Sequence, residues 1–174
     1  MQLPLQKINE EVFLATDPIV RFDRRAVEFI KEKALHNKRG RARICAHRSN
    51  NDSLHEMLIA IRSDSYICPH RHLNKIESFH LVEGRADVVI LNDNGEIMDV
   101  VKLGIDNNFF YRLSDPHYHT LLIHSPILVI HEITNGPFNP ADSDFAPFAP
   151  AEDTKETIEY ITALKCKIIG NNGL

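Results

Sequence analysis

The strongest constraint on the fold is a run of short apolar segments that lie too close together for helices to fit between them. Residues 41–47 alternate between polar and apolar side chains, as in a strand with one buried face. Asn92-Asp93-Asn94-Gly95 separates two of the segments and predicts a hairpin loop. Such spacing predicts a mainly β sandwich or barrel. The expected strands are residues 41–47, 57–62, 66–69, 77–82, 86–91, 96–103, 109–113, 120–123 and 127–133.

Two helices are expected to flank this region. The first is predicted over residues 23–36 with Asp23 as its N-cap, and the second over about residues 153–165. Their core-facing residues are expected to be Val27, Ile30 and Ala34 in the first helix and Ile158, Ile161 and Leu164 in the second. The length of 174 residues predicts a single domain over residues 1–174. We divide it into an N-terminal helical segment (1–38), a β-barrel core (41–134) and a C-terminal loop and helix (136–174).

Composition narrows the class of protein. A formal net charge of -4 gives no electrostatic reason to expect a nucleic-acid partner, which would favour a basic face. The N-terminal residues lack a secretory signal pattern, and no apolar run approaches the roughly 20 residues that span a bilayer. Three cysteines without a CxxC pair do not indicate a disulfide framework. We therefore expect a cytoplasmic protein with neither a membrane nor a nucleic-acid partner.

The chemistry is expected to lie in the histidines, of which the chain has ten. His70 and His72 are two residues apart, so on a strand they point to the same side. Four residues of turn separate them from Glu77, which begins the next expected strand. Two imidazoles and a carboxylate suit a borderline divalent ion such as Fe, Mn, Ni, Co or Zn. The alternative is that these histidines lie on a polar outer face.

The segment from His70 to Gly84 resembles the first motif of the cupin superfamily, which is His-x-His, three or four residues, Glu, six residues and Gly. It departs from the family pattern at Asp64, where cupins usually have glycine. The resemblance implies a cupin β-barrel (a double-stranded β-helix, or jelly roll) with flanking N- and C-terminal α-helices. It also implies one divalent metal ion held by three histidines and one glutamate, and pairing of barrels into a homodimer.

Cupins take their fourth ligand, a histidine, from a second motif that is degraded in this chain. Pro116 is present, but the usual glycine and the terminal asparagine are missing. We assign the fourth ligand to His119. His117 has the same strand parity and is the rival.

From about Arg41 to Glu152 the chain is similar to the WbuC family of cupin-fold metalloproteins, which are found in bacterial surface-polysaccharide gene clusters. The matching segments are Pro69-His70-Arg71-His72, Glu77 through Gly84-Arg85, Tyr118 to Leu121, Gly136-Pro137-Phe138 and the tail from Phe145 to Glu152. In that family an aromatic residue directly precedes the second-motif histidine, which favours His119 over His117.

Further residues are expected to line a pocket above the ion. Arg41 and His47 share one face of their strand, and the family resemblance also has Arg and His at these positions. An arginine there suits a carboxylate or phosphate. The alternative is a solvated edge strand. The candidate substrate-binding residues are Arg41, His47, Tyr66, His117 and Tyr118, and His47, His117 or Tyr118 could serve as the base.

Three functions fit these residues. The ion could make the chain an enzyme, such as an isomerase, an epimerase or an oxygenase, because four ligands leave about two of six coordination positions open. The chain could instead bind a small polar or anionic molecule without catalysis, or the ion could only stabilise the barrel. A sugar or sugar-nucleotide substrate is implied only by the family resemblance.

Overall fold

The computed structural model describes residues 3–171, which form two β-sheets and two α-helices. Residues 1, 2 and 172–174, which the predicted domain 1–174 and its segments include, lie outside the described residues. The elements are β1 (Leu5–Lys7), β2 (Val12–Ala15), α1 (Arg24–His36), β3 (Arg41–Cys45), β4 (Leu54–Arg62), β5 (His70–His72), β6 (Glu77–Glu83), β7 (Ala86–Leu91), β8 (Ile97–Leu103), β9 (Phe110–Leu113), β10 (Tyr118–Ile123), β11 (Ile127–Asn135), β12 (Ser143–Phe145) and α2 (Glu156–Asn171).

The strands form a seven-stranded and a five-stranded sheet, so the prediction of a mainly β fold with two flanking helices is confirmed. The larger sheet has the order β1-β2-β3-β4-β11-β6-β9, and the smaller has the order β12-β5-β10-β7-β8. Residues 66–69, which were predicted to be a strand, instead connect β4 to β5. Strands β1 and β2 were not predicted. They belong to a stretch that sequence analysis assigned to a helical segment, and β2 extends the larger sheet by pairing in parallel with β3.

The two sheets face each other across an apolar core. The larger sheet contributes Ile61, Phe79 and Ile130 to this core, and the smaller contributes Val88 and Leu121. Each residue points inward because alternate residues of a strand face the same side. The inner faces of both sheets are therefore fixed by strand register, and that register decides which polar side chains lie between the sheets.

Helix α1 covers the outer face of the larger sheet. Its N-cap is Asp23, whose carboxylate accepts hydrogen bonds from the backbone N–H groups of Arg25 and Ala26 at 3.0 and 3.2 Å. Ile30 is fully buried at the centre of the helix, against Leu58 and its neighbours. The predicted helix and its buried stripe are confirmed.

Helix α2 covers the outer face of the smaller sheet, where Leu164 and Ile168 are buried. It begins at Glu156, later than predicted. The prediction that Ile158 is buried is wrong, since 75% of this residue is exposed. At 3.6 residues per turn, Ile158 lies about 120° around the helix from Leu164.

Gly84 lies at the turn between β6 and β7, where the first cupin-like motif ends. Its φ of +99° is a conformation that residues with a side chain rarely adopt. A Cβ atom here would lie 2.6 Å from the backbone oxygen of Ile127. The glycine therefore allows the chain to turn directly against β11. No helix within residues 3–171 is both long and apolar enough to cross a bilayer.

Candidate metal centre

Four side chains that sequence analysis selected come together at one end of the inter-sheet core. They are His70, His72, Glu77 and His119, and one potential ligand atom from each lies within 4.8 Å of all the others. Ligands on opposite sides of an ion, each bound at about 2.1 Å, would be about 4.2 Å apart. The cluster is therefore close to the size that a single ion requires.

Strand register explains the convergence. His119 of β10 lies directly opposite His70 of β5, with their ring centroids 4.6 Å apart. His72, two residues along β5, faces the same side. Glu77 comes from the larger sheet, where it begins β6 and lies opposite Thr134 of β11. The cluster thus joins the two sheets.

Two atoms of the cluster are buried without a hydrogen bond to any described residue, namely Oε1 of Glu77 and Nε2 of His119. They lie 3.3 Å apart, and Nε2 of His72 lies 3.4 Å from the other carboxylate oxygen of Glu77. Buried polar atoms are normally hydrogen-bonded, because leaving them unpaired costs stability. These atoms are close enough to one another to bind a shared cation.

Backbone carbonyls orient two of the imidazoles. Nδ1 of His70 lies 2.9 Å from the carbonyl oxygen of Cys68, and Nδ1 of His119 lies 3.2 Å from that of His117. A carbonyl oxygen only accepts, so each Nδ1 must carry the hydrogen. The lone pair of a neutral ring is then on Nε2, which is the form that binds a metal. The hydroxyl of Ser143 lies 3.4 Å from Nδ1 of His72.

The electrostatic environment of the cluster keeps Glu77 ionised and His70 neutral. Burial lowers the pKa of His70 to about 4, with repulsion from His119 as the second cause, so its ring is neutral at physiological pH. Burial alone would raise the pKa of Glu77, but His119, His72 and His70 together hold it well below its usual range. Burial alone would lower the pKa of His119, but the negative charge of Glu77 outweighs burial, and the pKa is raised. Glu77 is therefore ionised.

The two candidates for the fourth ligand differ in position. His119 is in the cluster, whereas His117 precedes β10 and meets the cluster through its backbone carbonyl. Tyr118, although adjacent, points to the opposite face of the sheet, because neighbouring residues of a strand alternate. There it packs against Phe148 and donates a hydrogen bond to Asp144 at 3.0 Å. Tyr118 is not brought to the cluster.

Arg41 and Tyr66 are engaged by the C-terminal loop. Arg41 binds both carboxylate oxygens of Glu152 at 2.9 and 3.0 Å, and its guanidinium also donates to the backbone oxygen of Tyr66. The hydroxyl of Tyr66 donates to the backbone oxygen of Pro150 at 2.9 Å. Burial is the main cause that raises the pKa of Tyr66. Both side chains hold residues 150–152 in place.

His47 lies just beyond β3 and stacks on His55, with the ring centroids 4.0 Å apart and the planes at 8°. Its Nδ1 lies 3.3 Å from the backbone oxygen of Glu56. Burial is the main cause that lowers the pKa values of both rings. The pair belongs to the same end of the larger sheet as the cluster, since His55 lies opposite Thr134 and Thr134 lies opposite Glu77.

Two charged residues that sequence analysis did not select as site residues lie on inward-facing strand positions, Glu132 opposite Phe79 and Arg43 opposite Ile59. Glu132 of β11 is half-buried, and its side chain makes no hydrogen bond or ion pair with any described residue. Burial and the charge of Glu77 raise its pKa to about 8. Arg43 of β3 is exposed, and within residues 3–171 its guanidinium is likewise unpaired. Cys45 and Glu132 both lie opposite Met57, on either side of β4, and Arg43 faces the same side of β3 as Cys45.

Comparison with known proteins supports the fold. Residues 22–103 match the model of a domain of unknown function, DUF6016. A search of curated proteins finds no match to the chain. Protein SO0799 from Shewanella oneidensis is similar with a TM-score of 0.55 at 13% identity, over 69% of this chain and 83% of that one.

Two further solved structures are similar at a TM-score of 0.50. L-ribose isomerase from Cellulomonas parahominis, solved with L-psicose, is 15% identical over 63% of this chain and 70% of that one. The capsular polysaccharide assembling protein CapF from Staphylococcus aureus is 16% identical over 63% of this chain and 32% of that one. At such identities the likeness concerns the fold alone. The chain has a cupin-like fold.

Proposed function

We propose that this chain is a metal-binding cupin in which His70, His72, Glu77 and His119 hold one divalent ion that binds a small polar or anionic molecule. The observation that carries the proposal is the pair of buried, unpaired atoms, Oε1 of Glu77 and Nε2 of His119, 3.3 Å apart between the two sheets. Three imidazoles and one carboxylate suit Fe, Mn, Ni, Co or Zn. We further propose that the two sheets close into the barrel that the cupin motifs imply.

An open site is favoured over a purely structural ion. Four protein ligands leave about two of six coordination positions for a molecule from solvent. His70 and His72 are only half-buried, so the cluster can be approached from outside. When bound, the ion would supply Lewis-acid polarisation of a carbonyl or hydroxyl group.

Arg43 is the proposed contact for an anionic group on the bound molecule. Its guanidinium is exposed and makes no ion pair within residues 3–171, whereas Arg41 already binds Glu152. Arginine binds carboxylate and phosphate through two parallel hydrogen bonds. The more specific proposal, a sugar or sugar nucleotide of surface-polysaccharide synthesis, depends on the resemblance to the WbuC family.

Metal titration tests the proposal. The protein is stripped with a chelator and titrated with Mn²⁺, Co²⁺, Ni²⁺, Zn²⁺ and, without oxygen, Fe²⁺. We expect about one ion per chain and at least a roughly 100-fold weaker affinity in His119→Ala. The control is His36→Ala, which removes an exposed histidine at the end of α1. Absence of binding, or equal binding by His119→Ala, would refute the proposal.

The NMR relaxation rate of water protons distinguishes an ion with an open coordination position from a purely structural ion. In the Mn²⁺-loaded protein, an open position would hold an exchanging water molecule and would speed this relaxation. If relaxation is no faster than for an ion closed off from water, the structural role is the correct one.

A further inference from the structure

We propose that Glu132 is the proton-transferring residue of this site, and that the substrate is a small anionic α-hydroxy carbonyl compound. This inference rests on the proposed function, because it requires an ion at the cluster of His70, His72, Glu77 and His119 to hold the carbonyl group.

Strand register puts Glu132 on the same face as the cluster. Glu132 lies directly opposite Phe79, whose side chain is in the inter-sheet core. Two residues further along β11, Thr134 lies opposite Glu77. Glu132 and Glu77 are therefore diagonal neighbours on the inner face, a relationship that separates residues by about 7–8 Å. Long side chains reach across such a separation, so the Glu132 carboxylate can contact a small molecule that is bound at the cluster.

Partly buried carboxylates elsewhere in the described chain are paired, which makes Glu132 unusual. Glu83 binds Lys31 at 2.7 Å, and Glu152 binds both Arg39 and Arg41. Glu132 has no such partner among the described residues, although it lies between the sheets. A half-buried carboxylate costs stability when it is left unpaired. Retaining one beside four potential metal ligands is understandable if it acts on a bound molecule.

The charges around Glu132 suit a base. Burial and the charge of Glu77 raise the pKa of Glu132, while Arg43, His119 and Lys75 lower it. A cation at the cluster would lower the pKa further, which favours the carboxylate form that a base requires. Arg43 lies on β3 and is exposed to solvent. A substrate anchored at Arg43 by a phosphate or carboxylate would extend past Glu132 toward the cluster.

The proposed step is redox-neutral. Glu132 takes the proton from the carbon that bears the hydroxyl group, and the C–H electron pair forms the C=C bond of an enediol as the carbonyl oxygen gains a proton from a water molecule. The other hydroxyl group of the enediol then loses its proton to water and becomes the new carbonyl. Glu132 returns its proton to the former carbonyl carbon, which gives the isomer. Because the acid exchanges with water between these events, solvent hydrogen enters the product.

Hydrogen exchange tests this step with dihydroxyacetone phosphate as the probe. Metal-loaded protein in D₂O is expected to place deuterium on the hydroxyl-bearing carbon of the probe. Proton NMR follows this exchange. Glu132→Gln should reduce the rate at least 100-fold, and Glu132→Asp should retain part of it. Glu56→Gln is the matched control, because Glu56 is on the outward-facing set of positions of β4.

Binding provides a readout that is independent of turnover. By calorimetry, Glu132→Gln should bind the ion and dihydroxyacetone phosphate within about threefold of wild type. Arg43→Ala should bind the probe at least tenfold more weakly. The wild-type protein should bind unphosphorylated dihydroxyacetone more weakly than dihydroxyacetone phosphate, by a similar factor.

The outcomes separate the two proposals. If the wild type holds no ion, the proposed function itself fails. If it holds the ion but exchanges no deuterium into the probe, or if Glu132→Gln exchanges at the wild-type rate, the role of Glu132 is overturned and the metal site stands.

Discussion

Nε2 of His119 lies 3.3 Å from Oε1 of Glu77, although the two residues belong to different sheets. Neither atom has a hydrogen-bond partner among the described residues. A proton shared between them, or a cation bound by both, would relieve the cost of burying these polar groups. The pair therefore marks where an ion would join the two sheets.

The orientation of the histidines predicts a specific tautomer. In Zn²⁺-loaded protein, His70 and His119 should carry hydrogen on Nδ1 and coordinate through Nε2. The reason is that the backbone carbonyl of Cys68 faces Nδ1 of His70, and the backbone carbonyl of His117 faces Nδ1 of His119. Nitrogen-15 NMR distinguishes the two ring nitrogens by their chemical shifts. Detection of an Nε2–H form for either ring in the loaded protein would contradict this arrangement.

The pKa of Glu132 predicts how stability depends on pH when the metal is removed. Its pKa is raised from 4.5 to about 8, so the folded state holds the proton more tightly than the unfolded state. The stabilisation is complete below pH 4.5 and is lost as pH rises through 8. Glu132→Gln stays neutral and should gain about 1–2 kcal/mol over wild type at pH 9, which is less than the full shift because Glu132 is half-buried.

Thermal unfolding of the metal-stripped proteins between pH 5 and 9 measures this effect. The difference in Tm between Glu132→Gln and wild type should grow with pH, whereas Glu159→Gln, which changes an exposed carboxylate of α2, should show no such trend. A difference that stays constant across this range would mean that Glu132 is not buried as the register of β11 indicates.

The turn at Gly84 predicts a large loss of stability on adding one methyl group. Gly84→Ala would put a Cβ atom 2.5 Å from Oγ of Ser125 and would force alanine to a φ of +99°. We expect a loss of about 2–4 kcal/mol in the free energy of unfolding. Gly170→Ala is the control, because among residues 3–171 no atom outside the local backbone of α2 lies within 4 Å of its added Cβ, and it should gain about 0.5 kcal/mol.

Denaturant unfolding of both glycine variants gives these free energies. Similar stabilities for Gly84→Ala and Gly170→Ala would show that the turn against β11 relaxes freely, contrary to the close contacts around Gly84.

Local patterns were enough to predict much of the candidate site. His70 and His72 share a face because they are two residues apart on a strand, and Glu77 follows after a short turn. Asp23 predicted the start of α1 because its side chain can cap free N–H groups of the first turn. Each of these inferences needs only a few neighbouring residues, so no knowledge of distant contacts was required.

Residues whose roles depend on distant contacts could not be placed in this way. Arg41 is held by Glu152, a residue 111 positions further along the chain. The inward direction of Glu132 follows from the pairing of β11 with β6, while β11 itself has apolar residues on both faces and shows no clear alternation. Tyr118 is different, because its position directly before His119 already implied the opposite face.

The most direct measurement of the central claim is anomalous X-ray scattering from crystals grown with Co²⁺ or Zn²⁺. The account predicts one strong peak per chain, within about 2.0–2.3 Å of Nε2 of His70, His72 and His119 and of a carboxylate oxygen of Glu77. A peak elsewhere with these four side chains uninvolved, or no peak in crystals that grow with saturating metal, would contradict it.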